Sequence, residues 1–257
     1  GVAGLSIGLL DAGAKLGETN LDEEQIAEKF ADIAAQLSAS ADLDRASVSL
    51  RTLAAKAERE AALALMRAVL SAPSFPAAML EREKVRSIAA IKEAETRPDS
   101  IVAKRFAAAI YPHHPYGTFA TVDSVGRINR DDIVTFWRTH FSARRAVVSI
   151  IGDISRAEAE DIAAHLTDAL PDAADQASMQ LPAVTLPIRE TIRLPHPATQ
   201  SHILIGMPSL KRTDADYFPL LVGNYVLGGG GFVSRLMKEV REKRGYAYGV
   251  YSYFDPH

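Results

Sequence analysis

The sequence predicts an α+β protein built from two successive domains, and three observations support this prediction. Apolar residues recur at helical spacing in several long segments of the first part of the chain. Short segments such as 46–50 alternate small or apolar residues with polar ones, as paired β-strands do. A polar, proline-marked stretch then precedes a second series of strand and helix patterns. We therefore expect a first domain at 1–172, a linker at 173–188 and a second domain that begins at 189 and runs to 257.

The predicted first domain is mainly helical. Leu5, Leu9 and Leu10 indicate a short apolar helix near the start of the chain. Trp137 and Phe141 share one face of a later helix, and we expect them in the core rather than at a ligand site. The predicted elements, in order, are helices at 5–10 and 22–37, strands at 38–41 and 46–50, helices at 56–70, 76–96, 98–111 and 130–141, a buried strand at 146–153 and a helix at 155–170.

The predicted second domain begins with strands at 190–194 and 201–207, which a helix at 214–227 follows. A second helix at 232–243 leads into an alternating aromatic strand at 246–254. Between the two helices, the chain has a run of four glycines: Gly228, Gly229, Gly230 and Gly231.

The composition is that of a globular protein, and it excludes several classes of function. Of 257 residues, 47% are hydrophobic and 24% are charged. No apolar run reaches the roughly 18 residues that a membrane helix needs, and the net charge of −3 argues against a nucleic-acid partner. The chain has no cysteine, so disulfides, thiolate nucleophiles and cysteine-bound zinc are excluded. Absence of cysteine favours the bacterial periplasm over the cytoplasm but leaves the compartment open.

Other residue clusters are weaker candidates for chemistry. His113 and His114 are adjacent, so their side chains point apart, and we expect them to pack in a loop with Tyr116 rather than to bind a metal. His202 lies in a predicted strand, where neighbouring groups are expected to satisfy it. The glycine run follows a helix and lacks a Gly-Lys-Ser/Thr sequence, which argues against a phosphate-binding loop.

The most informative segment joins the glycine run to the last predicted strand. It continues from the glycines through Phe-Val-Ser-Arg-Leu at 232–236 and Arg-Glu-Lys-Arg-Gly-Tyr-Ala-Tyr at 241–248. Arg241 and Tyr248 lie seven residues apart across a predicted helix-to-strand break, a spacing that suits two side chains converging on one bound group. The spacing alone fits a solvated helix arginine and a core strand tyrosine better. The segment resembles the C-terminal half of a subunit of the pitrilysin (M16) family of zinc peptidases. This resemblance implies that Arg241 and Tyr248 grip the substrate backbone and that the glycine turn lies near the peptide path.

The resemblance covers essentially the whole chain and implies two similar M16-type domains. Each is expected to hold a mixed or antiparallel sheet packed by helices. Measured against that pattern, both domains look truncated, because the first lacks its opening strands and the second lacks its end.

The zinc site of the family is degenerate in this sequence. Active subunits carry His-x-x-Glu-His on an early helix, and a Glu on a later helix is the third ligand. The corresponding positions hold Gly4, Ile7 and Gly8, and Ala89 or a neighbour replaces the third ligand. These side chains neither bind zinc nor move a proton. We therefore expect no metal, no other cofactor and no peptidase activity in this chain alone.

The resemblance implies a role as the non-catalytic, substrate-binding subunit of a heterodimeric M16 zinc peptidase. The partner subunit would supply His-x-x-Glu-His and zinc, and the substrate would be a short unfolded peptide. A homodimer of the isolated chain is also compatible with the sequence. The alternative is a proteolytically inactive scaffold or peptide-carrier subunit.

Overall fold

The structure is a computed structural model that describes residues 1–171, 181–186 and 188–255. Most of the predicted linker, residues 173–180 together with 187, therefore lies outside the described residues. The chain divides into two units, residues 1–204 and residues 205–257.

Unit 1 contains the predicted helices together with two antiparallel hairpins. The predicted helices at 56–70, 98–111 and 130–141 are confirmed to within one residue at either end. Its helices are α1 (Val2–Gly8), α2 (Glu23–Asp32), α3 (Lys56–Ser71), α4 (Ala77–Ala94), α5 (Pro98–Ile110), α6 (Val122–Gly126), α7 (Arg130–His140) and α8 (Arg156–Thr167). Its strands are β1 (Gly13–Leu16), β2 (Thr19–Asp22), β3 (Gln36–Ala41) and β4 (Ala46–Arg51), paired β1 with β2 and β3 with β4.

Capping side chains set where the helices of unit 1 begin. The Asp22 carboxylate accepts a hydrogen bond from the backbone N–H of Gln25 at 2.9 Å, and the Gln25 side chain accepts one from Asp22 N–H at 3.1 Å. Ser155 and Glu158 form the same reciprocal arrangement at the start of α8. Each such box satisfies two of the N–H groups that a helix start leaves without partners.

The core of unit 1 forms around the short helix α1. Leu5, Ile7, Leu9 and Leu10 of this segment are almost fully buried, and α1 packs against α7, β3 and α4. Trp137 of α7 packs against the same core, as predicted, and its indole N–H donates to the Leu70 carbonyl at 2.9 Å. The partly buried Phe141 also packs there, as predicted.

Helix α2 ends earlier than its apolar periodicity predicts. The prediction extended it to residue 37, but the helix ends at Asp32 and Ala34 takes a left-handed backbone conformation with φ of 51°. Leu37 lies in β3 opposite Leu50 of β4 instead. The last apolar residue of the helical pattern, Leu37, is used in strand pairing instead. Periodicity alone therefore placed the end of α2 five residues too late.

The hairpin of β1 and β2 is absent from the sequence prediction. Leu16 pairs with Thr19, so Gly17 and Glu18 form a two-residue loop, and Gly17 has φ of +58°. Glycine at such a position is a signal for a tight hairpin, but the flanking strands have only four residues each. The short helix α6 was also missed.

The predicted buried strand at 146–153 is wrong. The segment belongs to no strand pair among the described residues, and Val147 and Ile151 are 93% and 100% exposed. An apolar run shows that side chains suit a buried strand, but a strand forms only where a neighbouring backbone supplies hydrogen-bond partners. The described part of unit 1 places no such neighbour beside this segment.

Unit 2 is helical where it is regular. Helix α9 (Tyr217–Asn224) continues as a π-helical turn over Tyr225–Gly229, and a 3₁₀ turn over Gly231–Val233 precedes a second π-helical turn over Met237–Glu242. The sheet predicted for the second domain is wrong for the described residues, because 190–194, 201–207 and 246–254 form no strand pairs. Of these segments, 190–194 belongs to unit 1 and 246–254 to unit 2. The reason is again the lack of a backbone partner, because an alternation of apolar and polar side chains does not by itself form the hydrogen bonds of a β-sheet.

An ion pair between α4 and α2 gives a test of the packing of unit 1. The Arg82 guanidinium donates to both oxygens of Glu23, at 2.7 and 2.6 Å. These hydrogen bonds from Arg82 hold the pKa of Glu23 below its usual value. Both side chains are partly exposed, so solvent screens the pair.

We predict that Glu23→Gln lowers the free energy of unfolding by about 0.5–1 kcal/mol at pH 7. Because the folded-state pKa of Glu23 is depressed, the pair stabilises the protein above the ordinary carboxyl pKa. This stabilisation is lost as the pH falls through the folded-state value. Urea unfolding at pH 7 and at pH 3 measures the difference. Glu24→Gln, in the same helical turn but without an ion pair in the described chain, is the control. Equal effects of the two substitutions at both pH values would contradict the assignment.

Candidate functional site

Arg241 lies on a helical segment of unusual geometry. The buried Ser234 starts this segment, its hydroxyl accepting a hydrogen bond from the Met237 N–H at 3.4 Å. At the other end the N–H of Lys243 bonds to the carbonyl of Lys238 at 3.0 Å, a spacing of five residues that defines a π-turn. Such turns are rare and frequently occur at functional sites. The carbonyl of Arg241 itself accepts from Gly245 N–H at 3.0 Å.

A glycine turn directs the chain back past Arg241. Gly245 has φ of +62°, a left-handed conformation that costs other residues about 1–2 kcal/mol. The N–H of Tyr246 closes the turn on the Val240 carbonyl at 3.1 Å. Because the chain reverses here, Tyr248 lies beside Arg241 although seven residues separate them.

The Arg241 guanidinium is held against two aromatic rings. Its central carbon lies 5.5 Å from the ring centroid of Tyr248 and 4.9 Å from that of Phe232. Both distances fall within the range of a cation–π interaction. The structure therefore brings together the side chains of Arg241 and Tyr248 and adds Phe232, which the sequence did not indicate.

Arg241 differs from the neighbouring cations in its partners. Lys243 forms an ion pair with Glu239 at 2.6 Å, and Arg244 donates to the Glu239 carbonyl at 2.8 Å. The hydrogen bond from Lys243 keeps the pKa of Glu239 below its usual value. In the part of the chain that the structure describes, no hydrogen bond or ion pair occupies the guanidinium of Arg241. Its N–H donors, and the hydroxyl of the 93% exposed Tyr248, are therefore available to an acceptor.

A polar pair anchors the segment that carries Tyr248. The Asn224 side chain donates to the Ser252 carbonyl at 3.1 Å and accepts from the Ser252 hydroxyl at 2.7 Å. Asn224 is the one amide in the apolar stretch 217–227, which is a weak signal of such a role. Nothing in the sequence near Ser252 indicates its partner.

The glycine run serves close packing within unit 2. Gly228 is buried, and a Cβ there would lie 2.5 Å from the Ser252 nitrogen and 2.8 Å from Leu236 Cδ1. A Cβ on Gly229 would lie 3.0 Å from the Asn224 amide, and one on Gly230 would lie 2.8 Å from the Tyr225 carbonyl. The proximity of this run to a peptide path stays a prediction.

The positions that the resemblance assigns to the zinc motif carry no side chain that binds a metal. Gly4 and Gly8 lie one turn apart on α1, and a Cβ on either would meet no atom within 4 Å, so this helix face is open. Ile7 points into the core and is 3% exposed. Ala89 is an exposed residue of α4. Because none of the four side chains has a donor atom, zinc does not fit this site.

Of the other histidine candidates from the sequence, His114 has a structural role and His202 has none that the structure shows. His114 is buried, its Nδ1 accepts from Tyr116 N–H at 3.2 Å, and its ring contacts those of Tyr111 and Tyr116, which confirms loop packing. His202 is exposed, and the predicted strand around it is absent. The described residues contain no cluster of three potential metal ligands and no helix long and apolar enough to span a membrane.

Comparisons with known proteins agree on one family. Residues 127–257 match the family described as "Peptidase M16 inactive domain". An uncharacterized zinc protease of Streptomyces coelicolor is 34% identical over 171 residues, 62% of this chain and 36% of that protein. The non-peptidase homolog YmxG of Helicobacter pylori is 26% identical over 228 residues, 86% of this chain and 52% of that protein.

A solved structure extends the likeness to the whole chain. The crystal structure of a peptidase M16 inactive domain from Pseudomonas fluorescens superposes with a TM-score of 0.86 at 34% identity, covering 100% of this chain and 61% of that chain. This chain thus spans less than two thirds of each of these relatives. The names of these relatives include both a zinc protease and a non-peptidase homolog, so the names alone do not decide activity.

The close approach at Gly228 gives a test of the packing behind the site. We predict that Gly228→Ala lowers the free energy of unfolding by about 1–3 kcal/mol, because the added methyl overlaps Ser252 and Leu236. Gly223→Ala in α9 is the matched control. A Cβ there meets nothing within 4 Å, so the change should stabilise the helix by about 0.5–1 kcal/mol. Thermal unfolding of both variants measures the difference in stability. Equal unfolding midpoints for Gly228→Ala and Gly223→Ala would refute the close contact at Gly228.

Proposed function

The chain belongs to the peptidase M16 family, and we propose that it is a non-catalytic subunit that binds the backbone of an extended peptide for a zinc-bearing partner of the same family. The match to an inactive domain and the name of the Helicobacter pylori relative support the non-catalytic part of this proposal. The chemistry of Gly4, Ile7 and Gly8 supports it independently, because these residues supply neither a ligand nor a base.

The single observation that supports peptide binding is that the Arg241 guanidinium lies against two aromatic rings and, within the described chain, not against a carboxylate. A cation held by two rings rather than by a carboxylate keeps its N–H donors available. Beside it, Tyr248 presents a hydroxyl on an exposed ring. Peptide carbonyl oxygens are the acceptors that such a pair of donors suits, since a guanidinium and a phenol both donate to them.

Two donors that converge on carbonyl groups recognise backbone rather than side chains. An extended peptide exposes its carbonyls at regular spacing, whereas a folded protein has most of them paired. The substrate class is therefore a short unfolded peptide. The positive charge of Arg241 also favours the negative oxygen that develops when a peptide carbonyl is attacked.

A division of labour follows between this chain and its partner. Arg241 and Tyr248 hold and orient the peptide, which fixes the scissile carbonyl relative to the attacking group. In the partner, zinc would supply the activated water. This chain contributes binding and charge stabilisation, and the partner contributes the metal chemistry.

We predict that Arg241→Ala and Tyr248→Phe each lower the kcat/KM of the assembled pair by roughly ten- to a thousand-fold, the scale expected for one oxyanion donor. Hydrolysis of fluorescein-labelled unfolded casein by the zinc-bearing subunit plus each variant measures the loss. Size-exclusion chromatography of the same mixtures should show unchanged association, because neither substitution alters the fold.

Two neighbouring residues provide matched controls for that experiment. Arg244→Ala removes an arginine that is already bonded to Glu239, and Tyr246→Phe removes a hydroxyl from another exposed tyrosine. Both variants should keep near-normal activity. Full activity of Arg241→Ala and Tyr248→Phe would refute the proposed grip. A stable but inactive complex of the unchanged subunits would favour the scaffold or carrier alternative.

A further inference from the structure

The ring closest to the Arg241 guanidinium is that of Phe232. It lies 4.9 Å from the central guanidinium carbon, compared with 5.5 Å for Tyr248. Phe232 is 66% exposed, so burial in the core does not account for its position. The face of its ring lies against the guanidinium of Arg241, which makes a cation–π contact with it.

The turn that carries Phe232 is fixed at its end. Phe232 is the central residue of the 3₁₀ turn Gly231–Val233, which the N–H of Ser234 closes on the Gly231 carbonyl at 3.0 Å. Ser234 is 1% exposed and its carbonyl accepts from Lys238 N–H at 3.1 Å. One short segment thus links the turn to the helix of Arg241, so the ring and the guanidinium are presented together.

A ring restrains a guanidinium differently from a carboxylate. A carboxylate would accept the N–H groups and so compete with a peptide carbonyl for them. A ring face attracts the positive charge without accepting those hydrogen bonds in the same way. The mobile arginine side chain is thereby restricted before the peptide arrives, and less rotamer freedom is lost on binding.

We propose that Phe232 is a positioning residue that holds the Arg241 guanidinium ready to donate to a peptide carbonyl. This inference rests on the proposed function of Arg241 and goes beyond it, because the Arg241–Tyr248 pair does not include Phe232. The role requires an aromatic ring at residue 232, and not merely an apolar side chain.

The test compares Phe232→Leu with Phe232→Trp in the full chain. Fluorescence anisotropy measures the affinity for a short fluorescein-labelled casein peptide. Leucine keeps the apolar character and loses the ring, so affinity should fall about two- to five-fold, the size of an exposed cation–π contact. Tryptophan keeps a ring and should retain the affinity. Val233→Ala, at the adjacent exposed position, is the control and should have no effect.

A double-mutant comparison separates positioning from direct contact with the peptide. In an Arg241→Ala background, Phe232→Leu should cause no further loss of affinity. In Phe232→Leu without peptide, the ring-current shift of the Arg241 Nε–Hε NMR resonance should also become smaller, because only the Tyr248 ring remains beside the guanidinium, while thermal unfolding stays unchanged.

The proposal is overturned if Phe232→Leu keeps full affinity while Arg241→Ala loses it. It is also overturned if Phe232→Leu weakens binding equally in both backgrounds, because Phe232 then contacts the peptide itself. If Arg241→Ala binds the peptide as well as the unchanged protein does, the proposed function fails and the positioning role fails with it. The effect of Arg241→Ala alone thus distinguishes the two failures.

Discussion

The contact between the Arg241 guanidinium and two aromatic rings is the interaction on which the candidate site depends. It holds a cation at an exposed position without neutralising it, since the nearby acidic group Glu239 is engaged by Lys243 and Arg244. The surrounding backbone positions the chain segment that carries Tyr248. The turn at Gly245 returns the chain, and the Asn224–Ser252 hydrogen bonds fix the returning segment against α9.

Helix α1 keeps a structural role although it carries no residue that could bind zinc. Its apolar residues lie in the core of unit 1, so the helix contributes to the packing of that unit. The two positions where a family zinc site would have histidines face open space as glycines, and the position of the base is a buried isoleucine. A helix can thus lose its metal chemistry and keep its packing, because the two depend on different faces.

The sequence predicted those helices whose positions depend on the local spacing of apolar residues. Periodic apolar residues placed α3, α5 and α7, whereas the pairing of Arg241 with Tyr248 was expected from the resemblance of the segment and not from its spacing. The β1–β2 hairpin was missed because each of its strands has only four residues. Pairing between distant backbones is not local, which is why apolar runs such as 146–153 were taken for strands. Phe232 was missed for the same reason, because its contact with Arg241 spans nine positions and depends on a π-turn that no motif announces.

The central claim is that the grip on the peptide and the metal chemistry reside in different subunits. The most direct measurement is hydrolysis of an unfolded peptide in the presence of zinc, by the full-length protein alone and mixed with an M16 relative that carries His-x-x-Glu-His. Our account predicts no activity for the protein alone and clear activity for the mixture, above that of the relative by itself. Zinc-dependent hydrolysis by the protein alone would contradict it.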